Sequence, residues 1–511
     1  MTLNSQPPSR YWHPFLIALY PVASLYTANR SAVELSHLVL PIIAVLVLTA
    51  VAVVLFTKLL PNREKATLAS SWSMAALFGY DLVFRGTNAM YRVMAHTSVP
   101  VSQEYSFVLW GILWIIGLVF IWRSCFTFVA TNKFLNSMSA ILLAVTCLIA
   151  AQGAFLGTSS QSDSAASLVQ KEIPLLKPEQ PLNIYFLVFD RYAGAETLSQ
   201  VYGYDNQPFL AALRDRGFTV SDKSLANYPR TIYSMASALN LTFLPEVPKS
   251  DKVYAEMIQE QVAALSLKAI GYKYLHYGNW YQPLRKNKHA DYVLPTSIFP
   301  SEFAEFLYKT TPISKLLPLN DKFDFTIKKF QEVAATSEQD EPVFVYAHFL
   351  MPHNPYVFDA DRSRLDWKVS RYGNSKDNYV RQLQATNAFI LETVDKILKN
   401  SAITPLIVLI ADEGPYLTRS DRELAPKTKK LVRCRILSAF KMPPAGEAVA
   451  DESISPSISP VNVFRMIFTR YFGANLPLLP DRAYYWEEAD DQGRPAKDNK
   501  RFVDVTDELS Q

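Results

Sequence analysis

The sequence predicts an α/β protein in two parts: an N-terminal helical membrane domain of about five spans, followed by a doubly wound, mostly parallel α/β domain. Three observations predict this. Apolar residues make up 49% of the 511-residue chain and are concentrated in its first third. Beyond residue 182, charge-free runs of β-formers alternate with stretches of helical period, and that alternation builds a parallel sheet with helices on both faces. Two of the runs end in carboxylates, Asp190 and Asp412, and open α/β sheets bind ligands outside the carboxyl ends of their strands.

The apolar runs at 33–59, 106–122 and 134–156 each approach the ~20 residues that cross a bilayer. Weaker runs at 13–27, which is short, and 66–84, which carries Asp81, complete the five. Arg10, Lys58, Arg63, Lys65, Arg123 and Lys133 then fall on one side, against Arg30, Arg85 and Arg92 on the other. Basic residues favour the cytoplasm, so the N-terminus is expected inside and everything after residue 156 outside, in the periplasm or at the cell exterior. The opening MTLNSQPPSR lacks the basic region and cleavage site of a signal peptide, so the first span is expected to be retained. Of three cysteines only Cys434 lies beyond the spans, which excludes a disulfide within the outer domain. The net charge of +4, without a run of like charges, gives no sign of nucleic-acid binding.

The expected domains are a membrane part at 1–156, a Ser-, Gln- and Pro-containing linker at 157–182, an α/β domain at 183–486 and a tail at 487–511. The α/β domain opens with NIYFLVFD, a strand buried on both faces that ends at Asp190. A helical stretch closing at Gly217 follows. Pro229 and Arg230 then lead into Thr231, from which Ser234, Ser237 and Leu239 recur at helical spacing. A hydroxyl at a helix N-terminus sits where free N–H groups and the dipole favour an alkoxide or a transferring phosphoryl group. Taken alone, the same Thr also reads as an ordinary N-cap.

Residues 271–281 and 342–350 read as further strands, the second running into MPHNPY. Tyr379, Leu383, Thr386, Ile390, Val394 and Ile397 mark one face of a helix that closes near Asn400. TPLIVLIADEGP is another buried strand, and Asp412-Glu413 at its end suits a divalent cation, although a solvated turn has the same composition. RCRILSAFKMPP reads as a strand, and a helix runs from about Pro460 to Gly473. The charged, aperiodic tail reads as an extended surface segment. His276, His289 and His348 are weaker site candidates, and His348 reads as a structural residue in mid-strand.

These residues resemble the sulfatase branch of the alkaline phosphatase superfamily, in which a strand-end acid, a nucleophile at a helix N-terminus and an Asp-His-Gly hold the metal. Asp190 matches the first and Thr231 the second; Thr231, Ser234 and Ser237 resemble the spacing of the family's nucleophile-x-x-Ser-x-x-Ser signature. AHFLMPHNPY resembles the segment ending in Pro-His-x-Pro, which places His353 near substrate. Asp412 matches the Asp of Asp-His-Gly, with Glu413 in place of its His. Five spans before such a domain look like lipoteichoic acid synthases and lipid A phosphoethanolamine transferases, which use a Thr nucleophile. The formylglycine signature is absent, and Gly278-Asn279-Trp280-Tyr281 stands where sulfatases have Gly-Lys-Trp-His.

The resemblance implies a bacterial inner-membrane, metal-dependent phospho-group transferase or hydrolase. Its catalytic residues would be Thr231 and His353, and manganese, zinc or magnesium would lie on Asp190, Thr231, Asp412 and Glu413. Its substrate would be a phospholipid or a lipid-linked glycan. The rival expectations are a degenerate domain that binds polysaccharide or envelope-assembly partners, favoured by Glu413 and Arg191, and a sulfuric ester hydrolase.

Overall fold

The structure, a computed structural model, describes residues 11–30, 33–94, 103–157, 172–247, 250–317, 319, 321–339, 341–418, 421–444, 454–490, 493–495 and 501–510. The opening residues 1–10 and most of the expected linker at 157–182 lie outside the described residues. The chain forms two compact units: Met1–Ser162 with Ser297–Asn320, and Asp163–Thr296 with Asp321–Gln511.

The first unit holds helices α1 (His13–Asn29), α2 (Val39–Leu59), α3 (Arg63–Met94), α4 (Gln103–Arg123) and α5 (Val129–Gly157). Among the described residues, three segments are long and apolar enough to cross a membrane: Leu35–Leu59, Tyr105–Arg123 and Val129–Gln152. α1 and α3 owe their place to polar packing as well. Buried His13 of α1 hydrogen-bonds Ser71 of α3 at 2.5 Å and Asn132 of α5 at 2.7 Å, so the groups that lipid could not solvate satisfy one another.

In the second unit a seven-stranded sheet has the order β2-β7-β6-β1-β5-β3-β4. The strands are β1 (Ile184–Phe189), β2 (Thr219–Val220), β3 (Lys273–Tyr277), β4 (Tyr292–Val293), β5 (Val343–Phe349), β6 (Leu406–Ile410) and β7 (Ser438–Lys441). β6, β1, β5, β3 and β4 run parallel, whereas β7 and β2 close one edge antiparallel. Every residue of β1, β5 and β6 is buried. Helices on both faces cover these strands, which is why they read as unbroken apolar runs. The long helix appears at Ser375–Asn400 and the late one at Pro460–Phe472, where Gly473 takes a left-handed backbone (φ 64°) that ends it.

The tail corrects the sequence reading. β8 (Tyr484–Trp486) pairs antiparallel with β9 (Phe502–Asp504), and a short helix, Thr506–Ser510, follows. Phe502 stacks on Trp486 at 4.6 Å and meets Tyr228 and Tyr233 edge-on. Phe502, Val505 and Leu509 are too few to register as a period among so many charges, yet they pack the tail onto the turn that precedes Thr231.

Candidate active site

Register builds the site. In the parallel ladder Val188 of β1 lies level with His348 of β5 and Ile410 of β6. Residues two apart on a strand share a face. Asp190, two beyond Val188, and Asp412, two beyond Ile410, therefore project from the same sheet face as His348. These three buried side chains each offer a ligand atom, all within 4.8 Å of one another. His348 Nε2 lies 3.8 Å from Asp190 Oδ2 and 3.8 Å from Asp412 Oδ2.

Each of the three side chains has a buried polar atom without a partner. Asp190 Oδ1, Asp412 Oδ2 and His348 Nε2 are buried without a hydrogen bond, an expensive arrangement unless something else occupies the space. Burial, foremost, pushes both carboxyl groups up to about 7; Arg191 opposes this at Asp190, and Asp190 adds to it at Asp412. Burial likewise pulls the His348 imidazole down to about 4. Two carboxylates and one neutral imidazole facing a common point fit a divalent cation of the zinc or manganese type.

Thr231 reaches this cluster from the other side. Arg230, with extended backbone, occupies the cap position of the helix Thr231–Leu239, and no side chain caps it. The Thr231 hydroxyl instead hydrogen-bonds the Asp412 carboxylate. Ser234 and Ser237, which share its helical spacing, are braces: their hydroxyls donate to the carbonyls of Tyr228 at 2.8 Å and Thr242 at 2.6 Å. Arg191, in a left-handed conformation (φ 62°), turns the chain so that its amide donates to Asp412 Oδ1 at 3.2 Å.

Glu413 departs from expectation. The sequence reading sets it among the metal ligands; in the structure it is not one of the three grouped side chains, and its carboxylate pairs with the fully buried Arg433 and, at 3.3 Å, with Arg191. Arg433 also donates to the carbonyls of Gly414 and Pro229, joining the end of β6 to the turn before Thr231. The approach is close enough that a Cβ on Gly414 would lie 2.0 Å from the Val432 carbonyl. Two guanidinium groups thus hold Glu413, and His348, read from sequence as structural, supplies the imidazole of the cluster. The one sequence signal for His348 was its place as the sole histidine of the apolar strand β5.

His353 lies close by, its amide donating to the Asp190 carbonyl at 3.2 Å. Gln382 Nε2 holds its turn through the carbonyls of Pro352 and His353. Its Nδ1 meets the Asn354 carbonyl, and burial together with the Arg191 charge holds its pKa well below the ordinary value. His276 is satisfied by Tyr274 and the Leu284 carbonyl, and His289 by Glu260. Sequence reasoning missed Lys329, whose buried ammonium donates to the carbonyls of His348 and Gly278. A lysine on an amphipathic helix carries no sign that it points inward.

Comparison with known proteins gives a match of the sulfatase family to residues 187–465, more than half of the chain. Among solved structures, the chain is similar to the C-terminal periplasmic domain of EcEptC from Escherichia coli in complex with Zn, with 16% identity, 66% of this chain and 97% of that chain covered, and a TM-score of 0.42. It is similar to the integral membrane protein lipooligosaccharide phosphoethanolamine transferase A (EptA) from Neisseria meningitidis, with 13% identity, 84% and 88% covered, and a TM-score of 0.36. A protein in the alkaline phosphatase superfamily from Vibrio parahaemolyticus shows 14% identity, 64% and 79% covered, and a TM-score of 0.38. No curated protein matches by sequence. The family match carries the assignment; the structural likenesses are too distant to add to it.

Proposed function

The chain belongs to the sulfatase family, and from that membership and the geometry of the site we propose a membrane-bound, metal-dependent phospho-group transferase or hydrolase. Its substrates are phospholipid head groups or envelope glycans outside the cytoplasm. One observation carries the reading: the Thr231 hydroxyl, uncommitted to capping its helix, hydrogen-bonds a carboxylate of the buried Asp190–His348–Asp412 cluster, each member of which keeps one polar atom unpaired.

Asp190, His348 and Asp412 would hold the cation. When bound, it supplies a Lewis acid that lowers the pKa of a ligated hydroxyl and offsets charge on the phosphoryl oxygens. The chain's own groups do the rest. Thr231 Oγ forms a bond to phosphorus as the bond from phosphorus to the leaving alcohol breaks; the Thr231 proton passes to Asp412, and the departing oxygen takes a proton from solvent. An acceptor hydroxyl, or water, then attacks the phosphothreonine and returns Thr231 to its free form.

His353 fits the second half of this cycle. Its Nδ1 carries the proton shared with the Asn354 carbonyl, so the neutral ring offers Nε2 as an acceptor. That suits a base for the incoming hydroxyl.

The test uses the full-length protein, bis(p-nitrophenyl) phosphate and metal analysis. Wild type turns over and carries metal, whereas Thr231→Ala carries metal without turnover. Turnover by Thr231→Ala at the wild-type rate overturns the proposal. The pairing of Glu413 with two arginines favours a second reading, a domain that binds envelope polysaccharide without chemistry. Protein that holds no metal and gives no turnover, yet binds such a polysaccharide, would establish that reading instead.

A further inference from the structure

Residues 297–320 interrupt the α/β unit in sequence yet belong to the membrane unit. Ser301 caps the helix Glu302–Lys309, accepting from the Ala304 amide at 3.2 Å. The Tyr308 hydroxyl reaches the Leu317 carbonyl, folding this helix back over the short helix Ile313–Leu316. The segment is therefore an ordered hairpin.

One side of the hairpin is already packed. Phe303 and Leu307, four residues apart on one helical face, join Ala18 and Val22 of α1, Val45 of α2 and Met74 of α3 in a single buried cluster. The helix also touches the turn Leu35–Leu38 that leads into α2. It thus sits at the end of the bundle that carries the α1–α2 connection.

Beside this packed face, apolar side chains are left uncovered. Phe306 is 56% and Leu316 65% exposed, and Ile298, Leu317 and Leu319 are exposed beside them. Glu302, Glu305, Lys309 and Lys315 cancel in charge, and Glu305 pairs with Lys309 at 2.5 Å. Leu35, Val39, Leu40 and Ile43 are likewise exposed, on the turn and the helix α2 that the helix Glu302–Lys309 touches, and Leu35–Leu59 is one of the segments long and apolar enough to cross a membrane.

We propose that residues 297–320 are an interfacial membrane anchor, seated at the boundary between lipid head groups and acyl chains. What identifies lipid as the occupant is what the segment packs on: its helix rests against α2, a segment apolar enough to cross a membrane whose own apolar side chains are exposed, and the segment bears no net charge to recognise a polar partner. Phe299, Phe306 and Tyr308 are side chains that favour this boundary. The α/β domain is then attached to the bilayer through its chain twice, once after α5 and again in mid-domain. The second attachment ends just before the helix Lys322–Ala335, whose Lys329 holds the His348 carbonyl. The inference rests on the membrane placement of the first unit and is independent of the proposed chemistry.

Site-directed spin labelling tests it in the full chain, with Cys125→Ser, Cys147→Ser and Cys434→Ala as background, reconstituted into bilayers of phosphatidylethanolamine and phosphatidylglycerol. Labels at Phe306→Cys, Leu316→Cys and Ile298→Cys are read separately, so loss of one variant leaves the others. Each should collide with oxygen in preference to an aqueous nickel chelate, as a label at Ile43→Cys does and one at Asp361→Cys does not. Preference for the chelate overturns the proposal, because the hairpin then faces water. Shielding from both reagents also overturns it, because protein and not lipid then covers the hairpin.

Discussion

Replacing Arg433 by Met separates the two roles open to Glu413. Both side chains of this ion pair are buried, at 0% and 1% exposure. Removing one partner of such a pair costs about 3–5 kcal/mol, because the other charge stays in place uncompensated. Two further losses act in the same direction, since the Gly414 and Pro229 carbonyls lose their donor and each unsatisfied buried group costs about 1–3 kcal/mol. Arg191, 3.3 Å from the other Glu413 oxygen, offsets part of this. The net expectation is about 4 kcal/mol, a fall in Tm on the order of 10 °C. The double variant Arg433→Met/Glu413→Leu should recover much of the loss, since it removes both charges. The assay is thermal unfolding by circular dichroism of the full-length protein in detergent, with bound metal counted by mass spectrometry. Metal should persist in Glu413→Gln. If Glu413→Gln loses metal while Arg433→Met unfolds as the wild type does, Glu413 is a ligand and the ion-pair account is wrong.

Other outcomes follow from the same geometry. His348→Ala should remove bound metal with the circular dichroism spectrum retained; metal kept at the wild-type level would exclude His348 from the site. Because burial raises Asp190 and Asp412 to about 7, the folded metal-free protein holds protons that an unfolded carboxylate, with a pKa of about 4, releases. The histidines that burial depresses act in the opposite sense, so the contribution of the two carboxyls is read as a difference: relative to Asp190→Asn/Asp412→Asn, the metal-free wild type should lose stability as pH rises from about 4 to about 7, and added zinc or manganese should remove that loss. A metal-free wild type that gains stability relative to this variant across the window would contradict it. A reporter active only outside the cytoplasm should work when fused after Thr158 and fail after Arg63, and the reverse would invert the five-span arrangement.

The strands of the sheet were legible because parallel strands buried on both faces are written as charge-free runs, and β1, β5 and β6 each appear so. The positions of Asp190 and Asp412 at strand ends and of Thr231 at a helix start were legible because such ends can be placed from sequence. His348 was not, because its role depends on lying level with Val188 across the ladder, a pairing that no local pattern specifies. The pairing of Glu413 was hidden for a related reason. The two arginines that hold it are Arg433, 20 residues away, and Arg191, 222 residues away, and tertiary pairing decides what a carboxylate does once its strand end is fixed. The segment 297–320 had the composition of a loop in a soluble domain, and its place in the membrane unit is set by what Phe303 and Leu307 meet in space.

The central claim is that Thr231 carries the phospho group. Full-length wild-type protein, loaded with metal and given a phosphodiester donor without acceptor, should accumulate a phosphorylated peptide spanning residue 231, and Thr231→Ala should yield none with its metal unchanged. Fragmentation mass spectrometry locates the modification. A phosphate found on another residue, or turnover with residue 231 unmodified throughout, would contradict the account and leave Thr231 as the first residue of its helix and nothing more.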